Sequence, residues 1–232
     1  MEEKIELTTK EKIKNILIGE LKNYTRTQII AINALLCALV LLFALVPLKL
    51  GALDLAVIPI IAIIISTQLM GLLNGTLTGL FFGLVSFINH IVRHPSVLSD
   101  IFIKNPLVTF LPRILIATFV FLVMKGLDYC FNKINLSSEK SKKITPKILT
   151  TIKYAVSALV GVIVNTAGVL GIMYAFYHGN TLASGTVIGP AFISGIILTN
   201  SILEAVVCTV LTPAIVIAVK KTLEFSMRKK KK

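Results

Sequence analysis

The chain has 232 residues, of which 55% are hydrophobic and only 15% are charged, and its mean hydropathy is +0.87. About a quarter of the residues of a soluble domain are charged, so this composition excludes an ordinary soluble fold and favours a membrane protein. The net charge of +13 does not indicate nucleic-acid binding, because the basic residues flank apolar runs instead of sharing one face with aromatic residues.

Three basic blocks set the expected orientation of the chain. Most of the 24 Lys and Arg residues fall within residues 1–26, 125–153 and 220–232. Cytoplasmic loops of membrane proteins carry such an excess of Lys and Arg. All three blocks are therefore expected on the cytoplasmic side, with an even number of membrane crossings between them, and both termini are predicted to be cytoplasmic.

Residues 1–26 are predicted to be a cytoplasmic amphipathic segment. Thr8 and Glu11 fit a helix-capping box, and the apolar residues from Ile13 onward recur at helical spacing. A helix of this kind is expected to lie on the inner surface of the membrane.

Residues 27–221 are predicted to form a transmembrane domain of six helices, because a span needs about 20 apolar residues. A polar outer loop at 92–105 precedes the fourth span, a Gly-rich outer loop at 178–189 precedes the sixth, and residues 222–232 form a basic cytoplasmic tail. The chain is therefore expected to be an all-α polytopic membrane protein. The predicted spans are 27–46, 52–69, 72–91, 106–125, 153–176 and 190–219.

Small residues form two stripes on these spans. Glycine recurs every four residues from Gly71 to Gly83 in the third span, which predicts close helix packing inside the bundle. The first span carries an Ala-x-x-x-Ala pair, Ala34 and Ala38. This pair suits a close helix contact either within the chain or with a partner.

Polar residues inside the spans mark a candidate binding site, because such residues are costly in the bilayer. Arg113 lies on the order of 10 Å from the outer end of the fourth span. Asn165 lies midway along the fifth span, and Asn200 and Glu204 lie one turn apart in the sixth. Spans four to six thus contribute polar groups to the outer half or the middle of the bundle.

Three more polar residues, Asn89, Tyr177 and His178, lie near the outer surface and are predicted at the mouth of that site. Structural roles remain open for the residues within the spans. Arg113 can snorkel or bind loop carbonyls, and Asn165 and Asn200 can hydrogen-bond between helices.

Catalytic chemistry finds little support in the sequence. No Gly-x-Ser-x-Gly, HExxH or P-loop motif occurs, so an ATP-driven function would need a motor from another chain. His90 and His94 are one turn apart, but such a pair alone is a weak metal signal. The chain is expected to be neither an enzyme nor a metal or cofactor protein.

Several segments resemble the substrate-binding S components of energy-coupling factor (ECF) vitamin transporters. They are the pair Ala34 and Ala38, the run GLLNGTLTGLFFGLVSFIN, the segment NPLVTFLPRIL and the segment LTNSILEAVVCTVLTPAIV. The resemblance implies a bacterial plasma-membrane location, and a partner assembly of one transmembrane T component and two cytoplasmic ATPases. It also implies an outward-facing pocket built by spans four to six, an alanine face that docks on the T component, and toppling of the whole subunit in the bilayer.

The sequence also suggests a substrate. A guanidinium such as that of Arg113 suits a carboxylate, and the chain has no Trp on which a flat ring could stack. Pantothenate, a small acyclic acid, is therefore the first expectation, and folate or cobalamin follows. A stand-alone small-molecule channel or facilitator is the alternative from another functional class.

Overall fold

The computed structural model describes residues 26–45, 49–50, 53–54, 57–93, 98–137, 146–182 and 184–230. The amphipathic segment predicted before Arg26, and the part of the basic loop between 138 and 145, lie outside these residues. The helices are α1 (Arg26–Leu45), α2 (Val57–Met70), α3 (Leu72–Arg93), α4 (Ser99–Lys104), α5 (Pro106–Ser137), α6 (Pro146–Tyr177), α7 (Pro190–Ile196) and α8 (Ile202–Lys230). A π-helix (Ile197–Ser201) joins α7 to α8, and two short strands, β1 (Lys49–Leu50) and β2 (Leu53–Asp54), pair antiparallel between α1 and α2.

Helix α2 forms the centre of the bundle. All of its residues except Ile58 are buried, and it packs against α1, α3, α5, α6 and α8. A helix that is apolar on every side must be enclosed by its neighbours. The surrounding helices therefore shield α2 from the membrane.

The all-α polytopic architecture is confirmed. Within the described residues, five helical segments are long and apolar enough to cross a membrane, namely α1, α3, α5, α6 and the run from α7 through α8. Helix α2 has 14 residues, or about 21 Å at the helical rise, which is less than the roughly 30 Å hydrocarbon core. The second predicted span is thus shorter than expected. It begins at Val57 instead of 52, with Pro59 in the first turn, where a missing amide donor costs little.

Two ends of the bundle can be told apart. One end, called here the loop end, carries α4 and the connection between α6 and α7. The opposite end, called here the basic end, carries Lys153, which pairs with Asp128 at 2.9 Å, and Lys220, which donates to the Tyr154 hydroxyl at 3.0 Å. These contacts tie α5, α6 and α8 together at the basic end.

Glycines set the close approach of α3 to its neighbours. Gly71 joins α2 to α3 with a φ of 89°, a conformation that other residues rarely adopt. An added Cβ would clash with Thr67 Oγ1 at Gly75, with the Arg113 carbonyl at Gly79 and with the Phe110 ring at Gly83. The predicted role of this glycine stripe in packing within the bundle is confirmed.

The loop end is more ordered than the sequence suggested. The segment 92–105 was expected to be a loop, but α4 forms within it, because Ile101 and Phe102 pack into a small core with Met173 and Ile188. In the loop that follows α6, Thr181 and Val187 form an antiparallel bridge. Both segments therefore fold onto the ends of α5 and α6.

Span six also differs from the continuous helix expected over 190–219. The π-helix interrupts it, so the backbone hydrogen bonds there join residues five positions apart instead of four. The residues of α7 and of the π-helix remain partly or fully exposed. The half of span six nearer the loop end is thus packed more loosely than α8.

Candidate functional site

Arg113 is buried in the middle of the polar region predicted from the sequence. Its side chain is 8% exposed, its Nη1 donates to the Val108 carbonyl at 3.3 Å, and its guanidinium lies 5.1 Å from the centre of the Phe82 ring. The Glu204 carboxylate on α8 is close enough to act electrostatically on it. The arginine therefore already has one acidic side chain nearby.

Three buried polar atoms on α5 and α6 have no hydrogen-bond partner among the described residues. They are Arg113 Nε, the hydroxyl of Thr109 one turn away on α5, and Oδ1 of Asn165 on α6. Buried polar atoms are nearly always hydrogen-bonded in native proteins, and leaving one unpaired costs about 1–3 kcal/mol. These atoms therefore offer one donor, one hydroxyl and one acceptor for a bound molecule.

The packing of α6 on α5 places Asn165 near the level of Arg113. A Cβ at Gly168 would lie 3.0 Å from Pro112, and one at Gly161 would lie 2.9 Å from Val120. Asn165 lies on the same face of α6, between these two glycines. It is thus within about one helical turn of Arg113 along the bundle axis.

A groove of about 810 Å³ lies on the other side of α6, between that helix and span six. It extends from Tyr174 and Pro190 near the loop end to Leu159 and Ala205 near the middle of the bundle. Sites for small ligands usually measure about 300–1,000 Å³ and are mostly apolar. The volume and the largely aliphatic walls of the groove fit such a site.

The polar lining of this groove consists of hydroxyl groups. Thr166 and Tyr174 contribute them from α6, and Ser194 and Ser201 contribute them from span six. Tyr174 supplies the aromatic ring of the lining. The groove therefore suits an aliphatic molecule with hydrogen-bonding groups better than it suits a ligand with a flat ring system.

A smaller cavity of about 120 Å³ lies at the loop end. Asp100 and Lys104 of α4 line it together with Tyr177 and Asn180. Nearby, the His90 ring stacks on Phe102 at 4.4 Å. Within the described residues, no group of three His, Cys, Asp or Glu side chains could hold a metal ion.

Comparison with known protein families identifies the family of this chain. The family model described as "ECF transporter, substrate-specific component" matches residues 28–216. The chain belongs to this family. No curated protein matches it.

Membership in the family assigns the chain a transport role. ECF substrate-specific components are transport subunits that work with a T component and ATPases. The apolar helices of this component agree with a multi-pass membrane protein.

The structure separates the six predicted site residues of this ECF component into different environments. Arg113 and Asn165 are both buried, Arg113 with its guanidinium over the Phe82 ring of α3, whereas Asn200 is exposed on the π-helix. Tyr177 lines the small cavity at the loop end. His178 is exposed, and its ring meets Tyr174 edge-on at 4.7 Å.

Asn89 has a structural contact that the sequence did not suggest. Its Nδ2 donates to the Ala44 carbonyl at 3.1 Å, and Arg93 donates to the Leu45 carbonyl. Carbonyl groups at the end of a helix lack partners within that helix. Asn89 and Arg93 therefore cap the end of α1, while Asn89 Oδ1 remains buried without a partner.

The two alanines of α1 lie on its outward face. Ala34 and Ala38 are exposed, whereas Leu36 and Val40 are buried against the bundle. Asn33 accepts hydrogen bonds from Ser66 and Thr78, which fixes the rotation of α1. The alanine pair thus faces away from the buried side of α1.

Sequence reasoning missed the hydroxyl groups of Thr109 and Ser201, and it did not include Thr166 in the candidate site. Threonine and serine are common in membrane helices, where they usually bond to their own backbone. No sequence pattern marks the few that do not. Glu204 was recognised but was not included in the candidate site, because a role as an interhelical hydrogen-bond partner was favoured for it.

Proposed function

We propose that this chain is the subunit that captures a small vitamin for an ATP-driven ECF importer, with pantothenate as the first candidate. The vitamin binds from outside through the loop end, and the loaded subunit docks on the T component. The observation that carries the proposal is Arg113, a buried arginine whose Nε has no partner, in a chain of this family.

The unpaired atoms specify the polar groups that the ligand must carry. Arg113 Nε requires an acceptor, for which a carboxylate is the strongest choice, and Asn165 Oδ1 requires a donor. Because Glu204 already acts on Arg113, a ligand that brings donors as well as an anion is favoured over a simple anion. Pantothenate has a carboxylate, an amide and two hydroxyl groups on an acyclic chain.

The groove beside α6 supports the same choice of ligand class. Its walls carry one aromatic ring, that of Tyr174, and flat-ring vitamins bind best where aromatic side chains can stack on them. Folate and cobalamin are the competing ligands, and the test distinguishes them.

The docking surface in this proposal is the outward face of α1. Ala34 and Ala38 are exposed there beside large apolar side chains such as Leu35 and Leu42. Small residues allow the close helix approach on which membrane interfaces depend. The alanine face therefore suits contact with a T-component helix.

Equilibrium binding of radiolabelled pantothenate to the purified chain tests the ligand assignment. Arg113→Ala is expected to weaken binding by about 2–5 kcal/mol if the charge pair is desolvated. Arg113→Lys should also weaken it, because lysine keeps the charge but loses the planar fork. Lys133→Ala, which removes an exposed charge at the basic end, is the control and should bind as the wild type does.

Native mass spectrometry of the chain purified from cells grown in rich medium is an independent test of the ligand assignment. A co-purifying ion with the mass of pantothenate supports the assignment, whereas folate or cobalamin identifies the competitor. Unchanged affinity in Arg113→Ala would make this arginine structural. A wild-type chain that binds none of these compounds contradicts the ligand assignments, and one that carries no small molecule at all contradicts the proposed capture of a vitamin.

A further inference from the structure

The hydroxyl groups of Thr166 and Ser201 differ from those of several other serine and threonine residues in this bundle. Serine and threonine in membrane helices commonly donate to a carbonyl one turn earlier in the same helix. This bond, with the carbonyl four residues earlier, is made by Thr67, Thr78, Thr118, Thr199, Thr209 and Thr222.

Thr166 and Ser201 make no such bond, and neither hydroxyl has another partner among the described residues. Both line the groove of about 810 Å³, Thr166 on the α6 wall and Ser201 on the wall formed by span six. Two hydroxyl groups with free hydrogen-bonding capacity therefore lie on opposite walls of one cavity.

The π-helix contains two hydroxyl groups that have different surroundings. Ser201 ends the π-helix and lines the groove. Thr199, two residues earlier, bonds to the Gly195 carbonyl at 2.9 Å and does not line the groove. The same short element thus contains one hydroxyl used by the backbone and one directed to the cavity.

We infer that Thr166 and Ser201 form a hydroxyl clamp that recognises alcohol, amide or carbonyl groups on a mainly aliphatic substrate. The inference rests on the proposed function and names the chemical class of its substrate. Each hydroxyl can donate one hydrogen bond and accept two, so the pair can bind neutral groups that accept hydrogen bonds as well as groups that donate them. The surrounding aliphatic walls bind the hydrocarbon part of the same molecule.

The clamp is separate from the unpaired atoms of Arg113 and Asn165. Asn165 lies on the face of α6 that packs on α5, and neither it nor Arg113 lines the groove, whereas Thr166 does. Consecutive residues of a helix point about 100° apart, so Asn165 and Thr166 present adjacent polar groups on two faces of α6. A substrate that reaches both needs a charged end and a neutral polar segment.

The test measures pantothenate affinity for Thr166→Val, Ser201→Ala and Thr199→Val. Valine matches the shape of threonine, so Thr166→Val removes the hydroxyl with little change in packing. Thr166→Val and Ser201→Ala are each expected to lose about 3- to 10-fold in affinity, the effect of one hydrogen bond. Thr199→Val is the matched control in the same π-helix and should keep the wild-type affinity.

The outcomes separate the inference from the proposed function. Wild-type affinity in both Thr166→Val and Ser201→Ala overturns the clamp while capture of a vitamin stands. If the wild type carries a different small molecule, its occupancy in Thr166→Val and Ser201→Ala is compared by native mass spectrometry, and equal occupancy again overturns the clamp. A wild type that binds pantothenate weakly and carries no small molecule contradicts the proposed function and the clamp together.

Discussion

At the scale of single residues, the position of Arg113 depends on a glycine that faces it. A Cβ at Gly79 would lie 2.6 Å from the Arg113 carbonyl oxygen. This backbone contact lets α3 approach α5 closely enough for Phe82 to cover the guanidinium. The buried arginine is therefore held by helix packing as much as by its own polar contacts.

Gly79→Ala is expected to destabilise the chain by about 1–3 kcal/mol, the usual cost of overpacking. The obstacle is a backbone atom, which cannot turn aside as a side chain can. Thermal unfolding in detergent measures the loss. Gly126→Ala is the control, because a Cβ there meets nothing within 4 Å, and alanine in an exposed helix should stabilise by up to about 1 kcal/mol. Equal melting temperatures for Gly79→Ala and the wild type would contradict the close contact.

The sequence identified some of these residues but not others, for physical reasons. Arg113 and Asn165 were singled out because polar residues inside spans are rare, and both are buried. Asn89 at the mouth of the site stays a prediction, and its amide also caps α1, a contact with a residue 45 positions away that the sequence could not indicate. Free hydroxyls such as that of Thr166 cannot be recognised without the structure, because their usual partners lie in their own helix.

At the scale of elements, α1 is an edge helix with one side in contact with the bundle. Leu36 and Val40 are buried, whereas Ala34 and Ala38 face outward. The family works with a T component, and an exposed small-residue face is the kind of surface that membrane helices use for close contact. We expect this face to make the contact.

Replacing both Ala34 and Ala38 by Leu is expected to abolish uptake in cells and to reduce co-purification with the T component. Bulky side chains would keep the partner helix from approaching closely. Ligand affinity of the isolated chain should stay at the wild-type value, because both positions point away from the bundle. Ala214→Leu on α8, another exposed alanine, is the control. Loss of ligand binding with an intact complex would assign the alanine face to internal packing.

The helices that long apolar runs determine were predicted well. The elements that depend on packing against distant residues were predicted poorly. Long apolar runs gave α1, α3, α5 and α6, although α5 and α6 extend past the predicted ends at the basic end. Helix α4 was missed because its stability comes from packing of Ile101 and Phe102 on distant residues. The π-helix was missed because the hydrophobic pattern of span six is the same for either hydrogen-bond register.

At the scale of the whole molecule, the charges are divided between the two ends. Lys125, Lys133, Lys153, Lys220 and Lys221 lie at the basic end. The loop end carries Arg93 and Lys104 together with Asp100. An excess of lysine and arginine marks the cytoplasmic side of membrane proteins. The loop end, with its cavity and the mouth of the groove, is therefore predicted to face outward.

Cysteine labelling of intact cells tests this orientation. The native Cys37, Cys130 and Cys208 are free thiols and are first replaced by serine or alanine. Single cysteines are then introduced at the exposed positions Lys104 and Asn180 of the loop end, and at Lys133 and Lys221 of the basic end.

A membrane-impermeant maleimide added to intact cells should label the cysteines at Lys104 and Asn180 and should not label those at Lys133 and Lys221. The reason is that moving the lysines of the basic end across the bilayer is opposed during insertion. Permeabilised cells are the control, in which all four positions should react, because all four side chains are exposed. Labelling at Lys133 in intact cells would reverse the orientation and place the proposed binding site on the cytoplasmic side, where it could not capture a vitamin from the medium.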